Sequence, residues 1–407
     1  MVSVVFVAPY AMDATNRFLA SVVATEDARV GVVSSDPLER FPPAIAERLA
    51  GHWRVDDCLD TDQLAHGVGA VGAQLGGVDV LTGILETLQV PLAQVRERLG
   101  VAGMDTATAE NFRDKARMKS VLRDAGIPCA RHRRVETADD ARQAVADWAA
   151  PIVVKPLAGM GARNTFRLDD ADMVERWLAH DPPSPAVPVL FEEFLTGREF
   201  SFESVFVDGR MVWHSIGRYD PTPLTVVENP WIQWAVVLPR RIDGDEFGGI
   251  RSVGADAVRA LGLHTGLSHM EWFLRPDGSV AVSEVGARPP GAQISTLMSY
   301  AHDADMYGKW AELVVHGRFD PPERKYAVGA AYLRAQGTGR RISSVTGIDQ
   351  VSRRTHDMVV ESRLPTRGAP PADTYEGDGF VIVRGDTSDD VDAALAEIVG
   401  TIRVETA

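Results

Sequence analysis

The sequence predicts an α/β protein built of several lobes, and three observations carry that expectation. A length of 407 residues with 45% hydrophobic and 24% charged side chains supplies core enough for two or three domains. A β-branched run at 2–8, an amphipathic stretch around Thr15 to Val23 and an apolar run from Arg29 to Ser34 alternate as strand, helix and strand, and continuous buried runs of this kind belong to parallel sheets. Farther along, Asp208-Gly209 and Asp277-Gly278 each join two strand-like runs, and Asp-Gly supplies the two positive-φ residues of a tight antiparallel hairpin.

Charge narrows the function. A formal net charge of -15 and a pI near 5.1 repel polyanions, which argues against nucleic acid or an anionic membrane surface as the main partner. Cys58 and Cys129 form neither a disulfide framework nor a metal-ligand spacing, as expected of a reducing cytoplasm. The opening Met-Val-Ser-Val-Val-Phe-Val-Ala-Pro lacks a basic leader, and no apolar run reaches the roughly 18 residues of a membrane span, so a cytoplasmic protein is expected.

Taken in order, residues 1–105 read as a Rossmann-like lobe. Gly67-Val-Gly-Ala-Val-Gly72 matches the dinucleotide pattern G-x-G-x-x-G, but polar Asp60-Thr-Asp-Gln precedes it where the fingerprint needs a strand, so a small-residue helix or loop is expected. Val78 to Gly83 reads as a strand. Glu86, just beyond it, reads first as a solvated helix-start residue, with ligand contact at the sheet edge as the alternative.

A single helix from Thr108 to Ala125, capped by Thr108 and stopped at Gly126-Ile-Pro128, would place Lys115 and Lys119 on one solvated face. Ala150 to Lys155 forms a short strand. The loop Gly159-Met-Gly161-Ala-Arg163 follows, and its backbone N–H groups could drape over phosphates beside the Lys155 charge. The proline-rich 182–188 stretch reads as a linker between lobes. Around Asp208-Gly209, a two-residue turn pairs Glu203 with His214. The irregular 218–241 segment carries Glu228, Trp231 and Trp234, which either face substrate or anchor packing. Beyond residue 318, strands and a closing helix capped by Thr387 or Ser388 are expected to pack rather than catalyse.

The most informative stretch is His269 to Arg288. With Asp277-Gly278 as the whole loop, Pro276 faces Ser279 and Glu271 falls directly opposite Glu284, while Trp272, Leu274, Ala281 and Ser283 line the other face. Carboxylates about 5 Å apart on one sheet face are destabilising unless a proton or cation sits between them. An oxygen-only site suits Mg²⁺, which needs one or two carboxylates when substrate phosphates complete its shell. Arg288 leaves the strand in a Pro/Gly loop beside these carboxylates, where a guanidinium could hold a phosphate. His269 and Gly291 flank the same place and join Glu86, Glu228, Trp231 and Trp234 as candidate substrate contacts.

These pieces fall in a known order: Asp114-Lys115-x-x-Met118-Lys119, Val-Val-Lys155-Pro with its glycine loop, Glu192-Glu193-x-Leu195-x-Gly-x-Glu199, Glu271, and Glu284-x-x-x-Arg288. The pattern resembles the ATP-grasp superfamily, and within it the carboxylate-amine ligases of the L-amino-acid ligase type. The resemblance implies an ATP-grasp fold: a Rossmann-like pre-ATP-grasp domain to residue 105, a small lobe over 106–185, a large lobe over 186–317 and a C-terminal α+β subdomain over 318–407. It also implies Lys115 and Lys155 at ATP phosphates, Glu192, Glu193 and Leu195 at the adenine, and Glu199 at the ribose. Glu271 and Glu284 would hold Mg²⁺, and Arg288 would steady the transferred phosphoryl group, with Lys155.

Such a protein joins a small carboxylate to an amine through an acyl phosphate, and homodimers are common among such relatives. A phosphotransferase acting on a small metabolite, or a nucleotide-binding regulatory module without turnover, would use the same cradle. A purine-pathway ligase is disfavoured because the first turn lacks glycines. One departure stands out: where many members have Glu-x-Asn, this chain has Glu284-Val-Gly286, which leaves one ion or two open.

Overall fold

The computed structural model describes residues 1–159 and 164–407, the Arg354 side chain excepted. Its first sheet contains β1 (Val2–Val7), β2 (Ala28–Ser34), β3 (Gly51–Arg54) and β4 (Val80–Thr82) in the order β3-β2-β1-β4, parallel throughout. The apolar runs dictate this: Val4, Val5, Phe6 and Val7 are all buried, which requires cover on both sheet faces. The glycine-rich motif lies inside the helix Thr61–Leu75, capped by Asp60, and its buried Gly67 and Gly72 serve packing. A Cβ on Gly72 would sit 2.6 Å from Val78.

The segment expected as one helix is two, Thr106–Arg113 and Lys115–Asp124. Asp105 caps the first, and Asp114 breaks the run by accepting from the Ala116 and Arg117 N–H groups to cap the second. Lys115 and Lys119 are therefore not a solvated face; both are buried. A small antiparallel sheet follows, with β5 (His132–Val135), β6 (Ile152–Pro156), β7 (Phe166–Leu168) and β8 (Val189–Glu193) in the order β5-β8-β6-β7. Because β8 pairs here, the chain leaves this sheet after Glu193 and not in the proline-rich stretch.

The large sheet joins β9 (Arg198–Val207), β10 (Arg210–Asp220), β11 (Trp234–Leu238), β12 (Gly266–Leu274), β13 (Val280–Gly286), β14 (Ala327–Leu333), β17 (Val359–Arg363) and β18 (Gly379–Gly385), in the order β13-β12-β9-β10-β11-β14-β18-β17. It runs without interruption past residue 318. A three-stranded sheet of β15 (Ala335–Gln336), β16 (Ile342–Thr346) and β19 (Arg403–Thr406) and a helix capped by Thr387, Ser388–Thr401, complete the C-terminal part.

Bulges alter both hairpins. Between β9 and β10 a register shift at Met211/Trp213 pairs Ser215 with Glu203, so the expected Glu203–His214 pair does not form. In the β12–β13 hairpin the turn is longer than two residues, since Leu274 pairs with Val280, and a bulge before Glu284 restores the register. Glu271 still faces Glu284. Trp272, Leu274, Val280 and Val282 pack together in one core, while Ser283 turns to the opposite side.

Removing the cap that breaks the long helix should loosen the element carrying both lysines. Asp114→Ala is expected to lower unfolding free energy by about 1 kcal/mol in urea titrations followed by circular dichroism.

Candidate active site

A cavity of ≈ 380 Å³ opens where the two lobe sheets and the N-terminal lobe meet. Its floor is one face of the β13-β12-β9 ladder. Glu271 lies opposite Glu284, and Glu199, paired with Phe273, sits diagonally from Glu271. Burial, and then the neighbouring carboxylate, push Glu271 and Glu199 above the ordinary carboxylate range. Glu284 goes the other way: the ammonium groups of Lys115 and Lys155 outweigh its burial and lower it, with Lys115 Nζ at 2.5 Å.

Cations arrive from two elements. Lys115 opens the Lys115–Asp124 helix, and its backbone N–H donates to Leu157 while its Nζ donates to Gly159. Lys119, one turn on, donates to the Ser283 carbonyl at 2.8 Å and pairs with Glu192 at 3.2 Å. Lys155, at the end of β6, pairs with the other oxygen of Glu192 at 2.9 Å. Burial alone would raise Glu192, yet the two ammonium groups hold it at about 2. The same carboxylates hold Lys155 above its usual range despite burial.

Leu195, at the crossing between lobes, packs with Ala130 and Ala281. Glu193 also lines the cavity and is bound by Arg131 at 2.7 Å and Arg275 at 3.2 Å.

Beyond the carboxylates, Arg288 forms a 2.7 Å ion pair with Glu86, which Arg113 also reaches at 3.2 Å. Glu86 is buried in this pair and is not the solvated residue its position suggested. His269 Nδ1 is 2.9 Å from Glu203, which is fully buried. Gly291 lines the wall and is followed by Ala292 and Gln293, both at positive φ (50° and 55°), a conformation costly for residues with a Cβ. The C-terminal part holds them there: Glu376 accepts from the Ala292 N–H, and the Tyr332 hydroxyl donates to the Ala292 carbonyl.

Other expected residues lie elsewhere. Trp234 is a packing anchor stacked on Tyr332 at 4.5 Å between centroids, whereas Trp231 and Glu228 are exposed and outside the cavity. Gly161 and Arg163 fall outside the described residues. No sequence pattern marks Tyr375, which reaches the cavity from the C-terminal loop. That corrects the expectation that this part only packs. Tyr219 is a second cavity residue outside the sequence expectations, although its alternate position on β10 from buried Gly217 is a signal that it faces inward.

No family model matches the chain. Alanine–anticapsin ligase of Bacillus subtilis is 25% identical over 269 residues, covering 60% of this chain and 56% of that protein. The large chain of carbamoyl phosphate synthase of Mycobacterium tuberculosis is 27% identical over 292 residues, 66% of this chain but 24% of that one. The chain thus spans about half the length, or less, of these curated relatives. Among solved structures, an L-amino acid ligase from Bacillus licheniformis superposes with a TM-score of 0.78 at 19% identity, covering 100% of this chain and 99% of that one. Phosphoribosylglycinamide synthetase from Anaerococcus prevotii does so with a TM-score of 0.72 at 14% identity, covering 100% of both. The chain has the ATP-grasp fold.

Within an ATP-grasp frame the donor set of this site can be tested for a cation. Three carboxylates crowd one sheet face, and burial with the neighbouring charge raises the proton affinity of Glu271 and Glu199, a repulsion that a divalent ion would relieve. Among the described residues, no group of three or more Asp, Glu, His or Cys forms a closed cage. The arrangement therefore fits Mg²⁺, which keeps waters and takes phosphate oxygens, better than an ion held by protein alone.

Glu192 generates a pH prediction. Its pKa is depressed on folding from the ordinary 4.5, so its stabilising effect is complete above that pH and lost as pH falls towards about 2. Glu192→Gln should be less stable than wild type by about 3 kcal/mol at neutral pH, and the gap should close between about pH 4.5 and 2 when thermal unfolding is followed across pH.

Proposed function

We propose that the chain is an ATP-dependent carboxylate–amine ligase that forms an amide through an acyl phosphate, releasing ADP and phosphate. The observation that carries this reading is a single cavity with Lys115, Lys155 and facing carboxylates at one side and the Arg288–Glu86 pair at the other. That cavity has charge of the right sign for a nucleotide's phosphates next to charge of both signs for small polar substrates.

Lys115 and Lys155 would bind the phosphates, while Glu192 keeps Lys155 charged and oriented. Glu199 and the crossing residues Glu193 and Leu195 would meet ribose and base. Glu271 and Glu284 would hold Mg²⁺, which when bound neutralises phosphate charge and fixes the γ-phosphoryl for in-line transfer. Lys115 Nζ, now on Glu284, would turn to the phosphates as the ion takes its place.

The acid's carboxylate oxygen attacks the γ-phosphorus and ADP leaves. The amine, having lost its proton, attacks the acyl carbon, and phosphate leaves with the C–O bonding pair. Arg288 would stabilise the charge on the transferred group and on the tetrahedral intermediate. Glu86, its present partner, would then keep Arg113 and turn its other oxygen to an ammonium group. An alanine ligase and an L-amino acid ligase among the similar proteins support amino acids as the substrate class.

Mass spectrometry of reactions with Mg–ATP, pooled amino acids and small carboxylic acids tests this directly. ADP, free phosphate and a condensation mass are expected; a phosphorylated acid without condensation would replace the ligase by a phosphotransferase. Glu284→Ala should abolish turnover while its circular dichroism spectrum stays that of wild type, and near-normal turnover would remove its metal role. Chelation by EDTA should stop ADP formation and added Mg²⁺ restore it. Lys155→Ala should weaken ATP binding at least tenfold by calorimetry.

A further inference from the structure

Tyr375 belongs to the loop between β17 and β18, far in sequence from every motif of the site. Its backbone is fixed from several sides. The Trp234 indole donates to the Tyr375 carbonyl at 2.7 Å, the Glu376 carboxylate accepts from Ala292 at 3.0 Å, and the Asp378 N–H donates to the Leu333 carbonyl at 2.8 Å. Gly377, at φ 74°, turns the chain against Leu333, where a Cβ would come within 2.6 Å of the Leu333 carbonyl oxygen. The ring leans on Trp234, 5.6 Å between centroids. A side chain held this firmly has a defined direction, and it points into the cavity.

Its hydroxyl is close to Gly291, 3.2 Å from where a Cβ would stand there. The polar groups nearby are already committed: Arg288 to Glu86, Glu284 to Lys115, and His269 to Glu203. Among the described residues nothing accepts from or donates to the Tyr375 hydroxyl. Burial and then the Glu376 charge raise its pKa, partly offset by Arg288, so the phenol keeps its proton at neutral pH and acts as a donor. An oriented, half-buried O–H that faces the cavity beside a guanidinium, with no protein partner among the described residues, is open to a ligand.

We infer that the Tyr375 hydroxyl is a substrate-binding donor that, together with Arg288, receives the carboxylate of the acid to be activated. This rests on the ligase reading for the identity of the acid, but the contact itself requires only that a carboxylate enters. One oxygen of that carboxylate takes the phosphoryl group. The other, held by the phenol, becomes the acyl carbonyl oxygen and gains charge when the amine adds. Gly291 keeps the space in front of the hydroxyl open, because a methyl group there would meet the phenol oxygen before any substrate could.

The test titrates wild type and Tyr375→Phe with the twenty L-amino acids and short carboxylic acids in the presence of Mg–ADP, by calorimetry. Tyr375→Phe keeps the ring and its contact with Trp234, so ADP affinity and melting temperature should match wild type. Affinity for whichever acids wild type binds should fall about tenfold or more, the scale of one hydrogen bond to a charged group. Gly291→Ala, which crowds the hydroxyl and leaves it in place, should lose acid affinity in the same way. Equal acid affinity in wild type and Tyr375→Phe overturns the inference, and so does a wild type that binds no carboxylate. Acid binding that depends on Tyr375 without any amide product on adding ATP and amines would sink the ligase reading and leave the contact standing.

Discussion

Glu192 is the interaction on which the site depends. Its carboxylate is buried between Lys119, from the Lys115–Asp124 helix, and Lys155, from β6, so three elements of the small lobe share one charge network. Lys119 also donates to the Ser283 carbonyl on β13, which ties that network to the large sheet. Two ammonium groups this close would repel strongly in a dry interior, and the shared carboxylate makes their approach tolerable. The net negative Glu271–Glu284–Glu199 face then has fixed positive charge opposite it. Remove Glu192 and Lys119 and Lys155 lose the carboxylate they share, while Lys115 keeps Glu284.

The site is also a composite of every part of the chain. The N-terminal sheet contributes Glu86 at the end of β4, the edge where an open parallel sheet presents its ligand-facing loops. The small sheet gives Lys155, the large sheet the three glutamates and Arg288, and the C-terminal loop Tyr375. Glu376 and Tyr332, both late in the chain, hold Ala292 at positive φ and so shape the wall after Gly291. A wall built this way can change its contacts through loop residues while the charged floor stays fixed on strands.

Local chemistry makes the floor legible in the sequence itself. The Glu271–Glu284 pairing follows from an Asp-Gly turn and strand alternation, and it holds because the longer turn and the bulge shift the register in opposite senses. The β9–β10 hairpin shows what happens without that cancellation, for one bulge moves Glu203 away from His214 and leaves it for His269. Asp114 is a helix cap hidden within a helical pattern, since Asp is only weakly disfavoured inside helices and its backbone bonds are visible only in three dimensions. Tyr375 and the burial of Glu86 against Arg288 are illegible for a different reason, although the place of Glu86 at the sheet edge is not. A buried ion pair across 202 residues and a loop side chain pointing inward leave no periodicity in the sequence.

Gly286 links the floor to the wall. It lies opposite His269 in the ladder, two residues from both Glu284 and Arg288. A Cβ there would stand 3.5 Å from Arg288 Cγ and 3.8 Å from its Nε, in contact with the stem along its length. Both distances are ordinary van der Waals contacts, so the first carbon of a side chain there would pack along the arginine stem. With glycine at this position, no side-chain amide stands beside the two glutamates. On the proposed reading Glu271 and Glu284 would hold Mg²⁺, which would neutralise phosphate charge there and would depend more on the nucleotide than it would with an amide ligand beside them. On the same reading Arg288, packed beside Gly286 and paired with Glu86, would be the group next to the glutamates that meets the transferred phosphoryl.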